Sequence, residues 1–522
     1  MGKNKSKLLM TNSSFFMFFI IICILLISVS ALASEKINPP DQETLQKILA
    51  DFEAYAEQSR KDWGIPGMAI SIVQGDKMIY ANGFGVKKQG EDDPVNENTI
   101  FQIGSTSKAF TAALVAMMVD EGKLNWKDKV IDYLPDFMMY DPWVTREFLI
   151  DDVMAQHSGM PGYASDLLSF IGFDRKHIIH SICYIQPISS FRSEFAYMNN
   201  LFLVAAALVE EISGKTWEEN LRERILDPLG MNNTTYTQNG FVQSSNVAYL
   251  HQNKNGQAFV LPMDWQYIDW VYVYGPAGGI NSNVVDMAKW IILQLNEGVY
   301  DQKQLISKEN VKYMHSAKTI IQDEKFPGRN YYDLAWVTTD NEPYPTFIWH
   351  TGGTSGIKSL IQLIPQIQLG FAILTNMADT KLPEALIKRF IDLYLGNPLK
   401  DWSTENLKEA KAAQSQSDEL PDIPKEKPLP LEAYTGKYEN PVYGEAVVSI
   451  EGGNLVFTIG PKQTKIVFSP WNRDTFMVSI PDYLDVGGFV HFQIDPLGKA
   501  SKMVVDMLNE GNIGSFNRIE DK

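Results

Sequence analysis

The amino-acid sequence predicts an α+β domain followed by a small all-β barrel, and three observations predict it. Alternating apolar runs sit at both ends of the first 400 residues with helical patterns between them, so one antiparallel sheet is built from both chain ends. Residues 401–430 then become rich in Pro, Lys, Glu, Gln and Ser, which is the composition of a linker. Beyond them, short alternating runs recur at near-regular spacing, as in an antiparallel barrel or sandwich.

Each part can be justified in chain order. Lys3, Lys5 and Lys7 precede an apolar run from Phe15 to Val29, and Ala31-Leu32-Ala33 follows. This is the pattern of a secretory signal at residues 1–33; the alternative is an uncleaved membrane anchor, and the run being short of the roughly 20 residues that span a bilayer favours cleavage. No second apolar run is long enough to span, so the mature chain is expected to be exported, periplasmic or secreted in a bacterium, without a stable membrane span. Residues 34–400 form the expected α+β domain. Met68 to Gly85 reads as a hairpin turning at Gln74-Gly75-Asp76. Ala109 to Leu124 reads as an amphipathic helix ending at Gly122, with Phe110, Ala113, Leu114, Met117 and Met118 on one face. Phe347–His350, Leu360–Leu363 and Gly370–Thr375 read as strands. After the linker at 401–430, residues 431–522 form the expected barrel, with strands at 446–450, 455–459, 465–468, 476–480, 489–494 and 503–507.

Composition narrows the function classes. The 522 residues are too many for one core at roughly 100–200 residues per domain. Hydrophobic residues at 45% and charged residues at 21% exclude a disordered chain. A net charge of −17 argues against nucleic acid as the partner, since phosphate binding needs a basic face. Only Cys23 and Cys183 are present, which excludes a disulfide-stapled scaffold and a Cys-ligated zinc site. Loss of the signal would leave Cys183 alone, expected as a buried small hydrophobe. His177 and His180 have no third ligand at metal spacing.

Chemistry is concentrated in three short stretches. Ser105 and Lys108 lie three residues apart at the start of the predicted helix, on one face, so the lysine can reach the hydroxyl. A serine at a helix N-terminus also lies where backbone N–H groups stabilise an oxyanion. Ser355 and Lys358 repeat the spacing, but in an extended stretch where the two point to opposite faces. Tyr197-Met198-Asn199 is the second stretch. His350-Thr351-Gly352-Gly353, at a strand end, is the third, and its small residues let a substrate backbone approach and expose the N–H of Gly353.

In that order, Ser-x-x-Lys, Tyr-x-Asn and His-Thr-Gly resemble the three-motif signature of serine β-lactamases and penicillin-binding proteins. The tyrosine in the middle motif is similar to class C β-lactamases, D,D-peptidases and related esterases. Gly64-Ile65-Pro66-Gly67, His157 to Gly162, Asp227-Pro228-Leu229-Gly230-Met231 and Ala277-Gly278-Gly279-Ile280 add to the resemblance, which runs from about residue 45 to 395. Residues 431–522 resemble the lipocalin-like domain attached to some peptidases of this family.

The resemblance implies a β-lactamase/transpeptidase-like fold and an acyl-enzyme mechanism with no metal or organic cofactor. Ser105 would be the nucleophile, and Lys108 and Tyr197 would share proton transfer, the base among them being left open. Asn199 would bind the substrate amide and fix Lys108. His350, Thr351 and Gly352 would line the substrate, and the N–H groups of Ser105 and Gly353 would form the oxyanion hole. Histidine stands at 350 where β-lactamases of this family usually carry lysine, and a neutral imidazole is a poor partner for a substrate carboxylate. The expected substrate is a small molecule or short peptide: a D-amino-acid peptide or amide, or a carboxylic ester. β-Lactam hydrolysis, a peptide or penicillin sensor that acylates without turnover, and a ligand carrier working through the barrel are the alternatives. Oligomeric state is left open.

Overall fold

The computed structural model describes residues 39–254, 257–322, 328–340, 344–415, 426–479 and 487–520. The predicted signal at 1–33 lies outside them. Among the described residues no helix is long and apolar enough to cross a membrane.

The first structured element is helix α1 (Gln42–Asp62), capped by Asp41, whose Oδ1 accepts from the Thr44 N–H at 2.8 Å. Next comes the predicted hairpin, β1 (Gly67–Gln74) and β2 (Lys77–Gly85). After a helical region the chain returns to the sheet with β3 (Thr319–Ile321), β4 (Arg329–Tyr332), β5 (Val337–Asp340), β6 (Phe347–Thr354), β7 (Ile357–Ile364) and β8 (Leu369–Thr375). The sheet order is β2-β1-β8-β7-β6-β5-β4-β3, with antiparallel pairing throughout. Hence β1 and β8, from opposite ends of the domain, are neighbours, as the two-ended pattern predicted.

The central strands β1, β7 and β8 are buried on both faces, which explains why they read as nearly continuous apolar runs. Met68, Ile70, Ile72, Phe371 and Ile373 share a core with α1. The alternate residues Ala69, Val73, Ala372 and Leu374 belong to the core of the helical region. At the centre of that region is α2 (Lys108–Asp120), beside α3 (Asn200–Ser213) and α4 (Val284–Leu295). The predicted amphipathic face of α2 is a correction: every residue from Lys108 to Met118 is buried. A helix enclosed on all sides has no polar stripe to display. Phe110 stacks on Trp290 of α4 with centroids 3.9 Å apart, an arrangement that adds about 0.5–1.5 kcal/mol beyond area burial.

The expected linker begins too early at 401. After α5 (Leu382–Leu395), residues 402–415 form another helix, α6 (Trp402–Ser415). Asp401 caps it, accepting from the Thr404 hydroxyl at 2.6 Å, and Trp402 Nε1 donates to Asp392 Oδ2 on α5 at 2.7 Å. Apolar anchors are sparse in this helix, so its polar composition reads as a linker although a tertiary contact orders it. The middle of the expected linker, 416–425, lies outside the described residues.

The carboxy-terminal part is a closed antiparallel barrel of eight strands: β9 (Gly436–Asn440), β10 (Gly444–Glu451), β11 (Asn454–Ile459), β12 (Thr464–Asn472), β13 (Thr475–Ser479), β14 (Phe489–Ile494), β15 (Ala500–Val505) and β16 (Ser515–Ile519). Six match the predicted runs. The first and last were not expected, because GKYEN and SFNRI carry few apolar residues, yet their pairing with each other closes the barrel. Tyr434, Tyr438, Phe457, Phe468, Phe476 and Phe516 fill the interior at 0% exposure. That packing leaves little support for the carrier alternative. Cys183 is a smaller correction: it is partly exposed, with Sγ 3.2 Å from the His180 carbonyl oxygen.

Candidate active site

Ser105 lies on a 3₁₀ turn, Gly104–Ser107, that leads directly into α2. In a 3₁₀ turn residues i and i+3 eclipse, which puts Ser105 above Lys108 more squarely than an α-helix does. Lys108 Nζ is 3.1 Å from Ser105 Oγ, 2.6 Å from Asn199 Oδ1 and 2.9 Å from the Ala277 carbonyl oxygen. Two of these three neighbours can only accept. An amine at Nζ therefore spends both N–H bonds on Asn199 and Ala277, and its lone pair is left facing the Ser105 hydroxyl. Burial pushes Lys108 down to about 7 against an opposing pull from Asp166, so the amine is accessible near neutrality.

The second motif is fixed by the chain around it. Gln156, fully buried, clamps Met198: its Oε1 accepts from the Met198 N–H at 2.6 Å and its Nε2 donates to the Met198 carbonyl at 3.0 Å. That clamp orients Tyr197 and Asn199 on either side. The Tyr197 ring lies under Lys108 Nζ, 4.7 Å from centroid to nitrogen. Its hydroxyl is buried and faces Ser105 without meeting strict hydrogen-bond geometry. Burial raises the phenol well above its ordinary value, so the hydroxyl keeps its proton. Asn199 uses both ends of its amide, accepting from Lys108 and donating through Nδ2 to Asp166 Oδ2 at 2.6 Å.

The third motif sits on β6. Pairing of β5 with β6 covers Phe347 to Trp349 only, so the edge of residues 350–353 is left open by β5 where it faces the Ser105 turn. Gly104, at φ +53, brings the two together: a Cβ there would lie 2.6 Å from the Gly353 nitrogen. Gly353 itself lines the cleft, with open space where a side chain would be. Gly352 departs from the expectation of substrate contact. A Cβ on it would meet the Ile103 carbonyl oxygen at 2.0 Å and Ser359 Oγ at 2.3 Å, so it points into packing, away from the cleft. Thr351 and His350 line the cleft. His350 Nδ1 donates to the Thr351 carbonyl at 2.6 Å, which leaves Nε2 to accept from the Tyr332 hydroxyl at 3.2 Å. Burial, helped by the nearby Lys108, pushes the imidazole down to about 3. His350 is thus a neutral wall of the site.

These residues surround a cleft of about 640 Å³ with aromatic walls from Tyr163, Phe195, Trp270, Tyr274, Tyr332 and Trp349. Lys358 also lines it, but its Nζ lies 3.5 Å from Glu384 Oε1. Ser355, its partner in the repeated spacing, accepts from Trp270 Nε1 at 3.1 Å, so these two do not form a nucleophile–base pair. His157 bridges Asp152 and Thr319 at 2.8 and 2.9 Å, and His177 Nε2 reaches the Val442 carbonyl of the barrel at 2.6 Å.

Sequence reasoning missed Asp166, Gln156 and the Ala277 carbonyl. The last two lie in or beside stretches already singled out, His157 to Gly162 and Ala277 to Ile280. Asp166 has no signal, since it meets Asn199 only through folding.

The β-lactamase family model matches residues 52–395. The chain belongs to the β-lactamase family of serine hydrolases. A second model, for the domain of unknown function DUF3471, matches residues 420–513. Among related proteins, unguisins hydrolase ungD' of Aspergillus campestris is 29% identical over 466 residues, covering 82% of this chain and 84% of its own. Protein flp of Staphylococcus aureus is 24% identical over 325 residues, covering 61% of each. Among solved structures, the octameric penicillin-binding protein homologue from Pyrococcus abyssi superposes with a TM-score of 0.59 at 20% identity, covering 88% of this chain and 98% of its own. SurE does so with a TM-score of 0.55 at 18% identity, covering 91% and 100%. The β-lactamase family fold accounts for the sheet, the helical region and the cleft between them.

Proposed function

We propose that this β-lactamase-family protein is an exported hydrolase that cleaves amides or esters of bulky apolar acyl groups through an acyl-enzyme on Ser105. The observation that carries the reading is the environment of Lys108 Nζ, whose hydrogen-bond partners among the described residues are two carbonyl acceptors and the Ser105 hydroxyl. Lys108, as the amine, takes the proton from Ser105 as Oγ attacks the acyl carbon. The N–H groups of Ser105 and Gly353 receive the oxyanion, a contribution whose loss typically costs about 10²–10³ in kcat. Tyr197, protonated beside the same oxygen, passes a proton to the leaving group and recovers one from Lys108. Water then repeats the sequence to release the acid. Asn199 holds Lys108 and offers its remaining N–H to the substrate.

D-amino-acid peptides and aryl or alkyl esters suit the aromatic walls. The name of the Aspergillus relatives, hydrolases of unguisins, supports hydrolytic turnover over a stalled sensor. Neutral His350 supplies no cation for the carboxylate of a β-lactam, which disfavours efficient β-lactamase activity. The basic and then apolar amino terminus supports export.

Intact-mass spectrometry with an activated fluorophosphonate tests the acyl-enzyme. The expected result is one adduct on the native protein and none on Ser105→Ala; an equal adduct on both overturns it. A panel of D-amino-acid p-nitroanilides, p-nitrophenyl esters and a chromogenic cephalosporin tests the substrate class. Turnover of the cephalosporin above both other classes would show the His350 argument to be wrong.

A further inference from the structure

We propose that the carboxy-terminal barrel sets the geometry of the serine site by holding Asp166, a positioning residue that acts on Lys108 through Asn199. The part concerning Lys108 rests on the function proposed above. The part concerning the barrel stands on contacts alone.

Asp166 sits in the middle of loop 157–173, which has the catalytic residues on its inner side. There the Tyr163 N–H donates to the Tyr197 carbonyl at 2.7 Å, and the Tyr274 hydroxyl donates to the Ser165 carbonyl at 3.1 Å. Asn200 Nδ2 donates to Ser165 Oγ at 3.1 Å and Asn199 Nδ2 to Asp166 Oδ2 at 2.6 Å. The loop is not in a conformation it would hold by itself. Tyr163 at φ 61 and Ser165 at φ 70 are both left-handed without being glycine, and such residues persist only where their surroundings over-determine them.

The outer side of the loop faces the barrel, which touches it directly at Pro161 and Ile171 and also holds segment 185–189, whose Ile188 N–H donates to the Gly159 carbonyl at 2.9 Å. Near its start, at the turn after β15, Gly511 is at φ +66, and a Cβ there would lie 2.6 Å from Ile185 Cγ2 and 3.3 Å from Pro161 Cγ. The Gln186 N–H donates to the Gly511 carbonyl at 3.1 Å, and Asn512 Nδ2 donates to Gln186 Oε1 at 3.0 Å. At its far end, the Lys462 N–H donates to the Ile171 carbonyl at 3.1 Å, and a Cβ on Gly460 would lie 2.5 Å from that same oxygen. Displacement of either turn removes the wall that keeps Asp166 on Asn199.

Charge follows the same route. The titratable groups facing Asp166 are Lys108 and Asn199's neighbour Tyr197 from the core, Tyr163 and Tyr274 from the cleft wall, and Glu510 from the barrel. Those facing Lys108 are Asp166, Tyr197 and His350. With His350 neutral and the tyrosines protonated, Asp166 is the acid that, when ionised, raises the proton affinity of Lys108 among the described residues; burial lifts Asp166 itself to about 7, so the two titrate together. Loss of its charge lowers that affinity and moves the working range of the lysine to lower pH.

The test uses the full chain and reads the rate of fluorophosphonate addition at Ser105 against pH, with hydrogen exchange of residues 157–173 alongside. Asp166→Asn should move the midpoint of the rate profile down by at least half a pH unit. Gly511→Leu should lower the plateau tenfold or more, move the midpoint the same way and speed exchange in the loop at least tenfold. If that variant does not fold, Asn512→Ala should shift both readouts in the same direction by less. Leu497→Ser, at an exposed barrel position, is the control and should match the wild type. A purely structural barrel would lower only the fraction of protein labelled, so an unmoved midpoint with unchanged exchange overturns the proposal. Absence of any label on wild-type Ser105 would overturn the hydrolase reading and Asp166's action on Lys108 with it; exchange would still decide whether the barrel holds the loop.

Discussion

Lys108 is costly to bury as an ammonium and useful to bury as an amine, and the cleft exploits the difference. Removal of solvent lowers its pKa to about 7, and the carbonyl oxygens of Asn199 and Ala277, by taking both N–H bonds of the amine, aim its lone pair at Ser105. The sign of the pH dependence follows. The amine is the active form, so acylation should rise with pH through about 7, level off above it, and fall close to tenfold per unit well below it. A stopped-flow or intact-mass rate profile from pH 5 to 9 checks this, and a flat profile would contradict the role given to Lys108. Ser105 and Lys108 were readable from their spacing at a helix start, whereas Tyr197 and Asn199 were readable only through the resemblance of the three ordered motifs to the β-lactamase family. Asp166 was not, since its carboxyl finds Asn199 from 33 positions away, and no pattern in either stretch announces the meeting.

At the scale of the element, β6 shows how two adjacent glycines serve different ends. Alternation of a strand sends Gly352 into the packing under Ile103 and Gly353 into the cleft. Gly352→Ala should therefore lower the melting temperature as well as activity, because backbone and Ser359 leave no room for a methyl group. Gly353→Ala should melt like the wild type and lose acylation rate, because its methyl meets open space where substrate lies. Calorimetry together with labelling rates separates the two, and equal melting losses in both would contradict the assignment. Identical residues carried no hint of this division in the sequence. Helix α2 is a related case: its apolar spacing marked a helix, but only the helices around it decided that all its faces are buried. Strands β9 and β16 were missed for the opposite reason, their outward charged residues hiding short inward sets such as Tyr438 and Phe516.

For the whole molecule, the seam between the domains combines the hydrogen bonds at Gly511 and Lys462 with a small apolar cavity lined by Leu167, Phe170 and Ile171 on one side and Ile466, Met507 and Leu508 on the other. The ion pair of Lys462 with Asp269 is half exposed at 2.6 Å and contributes about 0–1 kcal/mol. Lys462→Ala should therefore leave thermal unfolding nearly unchanged. Gly460→Val, which drives a side chain into the Ile171 carbonyl, should separate barrel and catalytic domain into two calorimetric transitions where the wild type shows one. Two transitions in the wild type would contradict a tightly coupled pair of domains. By itself the sequence determined the α+β domain followed by a barrel and the serine–lysine pair at a helix start, because periodicity, composition and spacing are written along the chain, while Tyr197 and Asn199 came from the order of motifs shared with a family. Only the tertiary structure decided that Lys108 is an accessible amine, that His350 is buried against Tyr332, that Gly352 is packing and that the barrel borders the loop of Asp166. Burial and hydrogen-bond partners set those properties, and both come into being when distant segments meet.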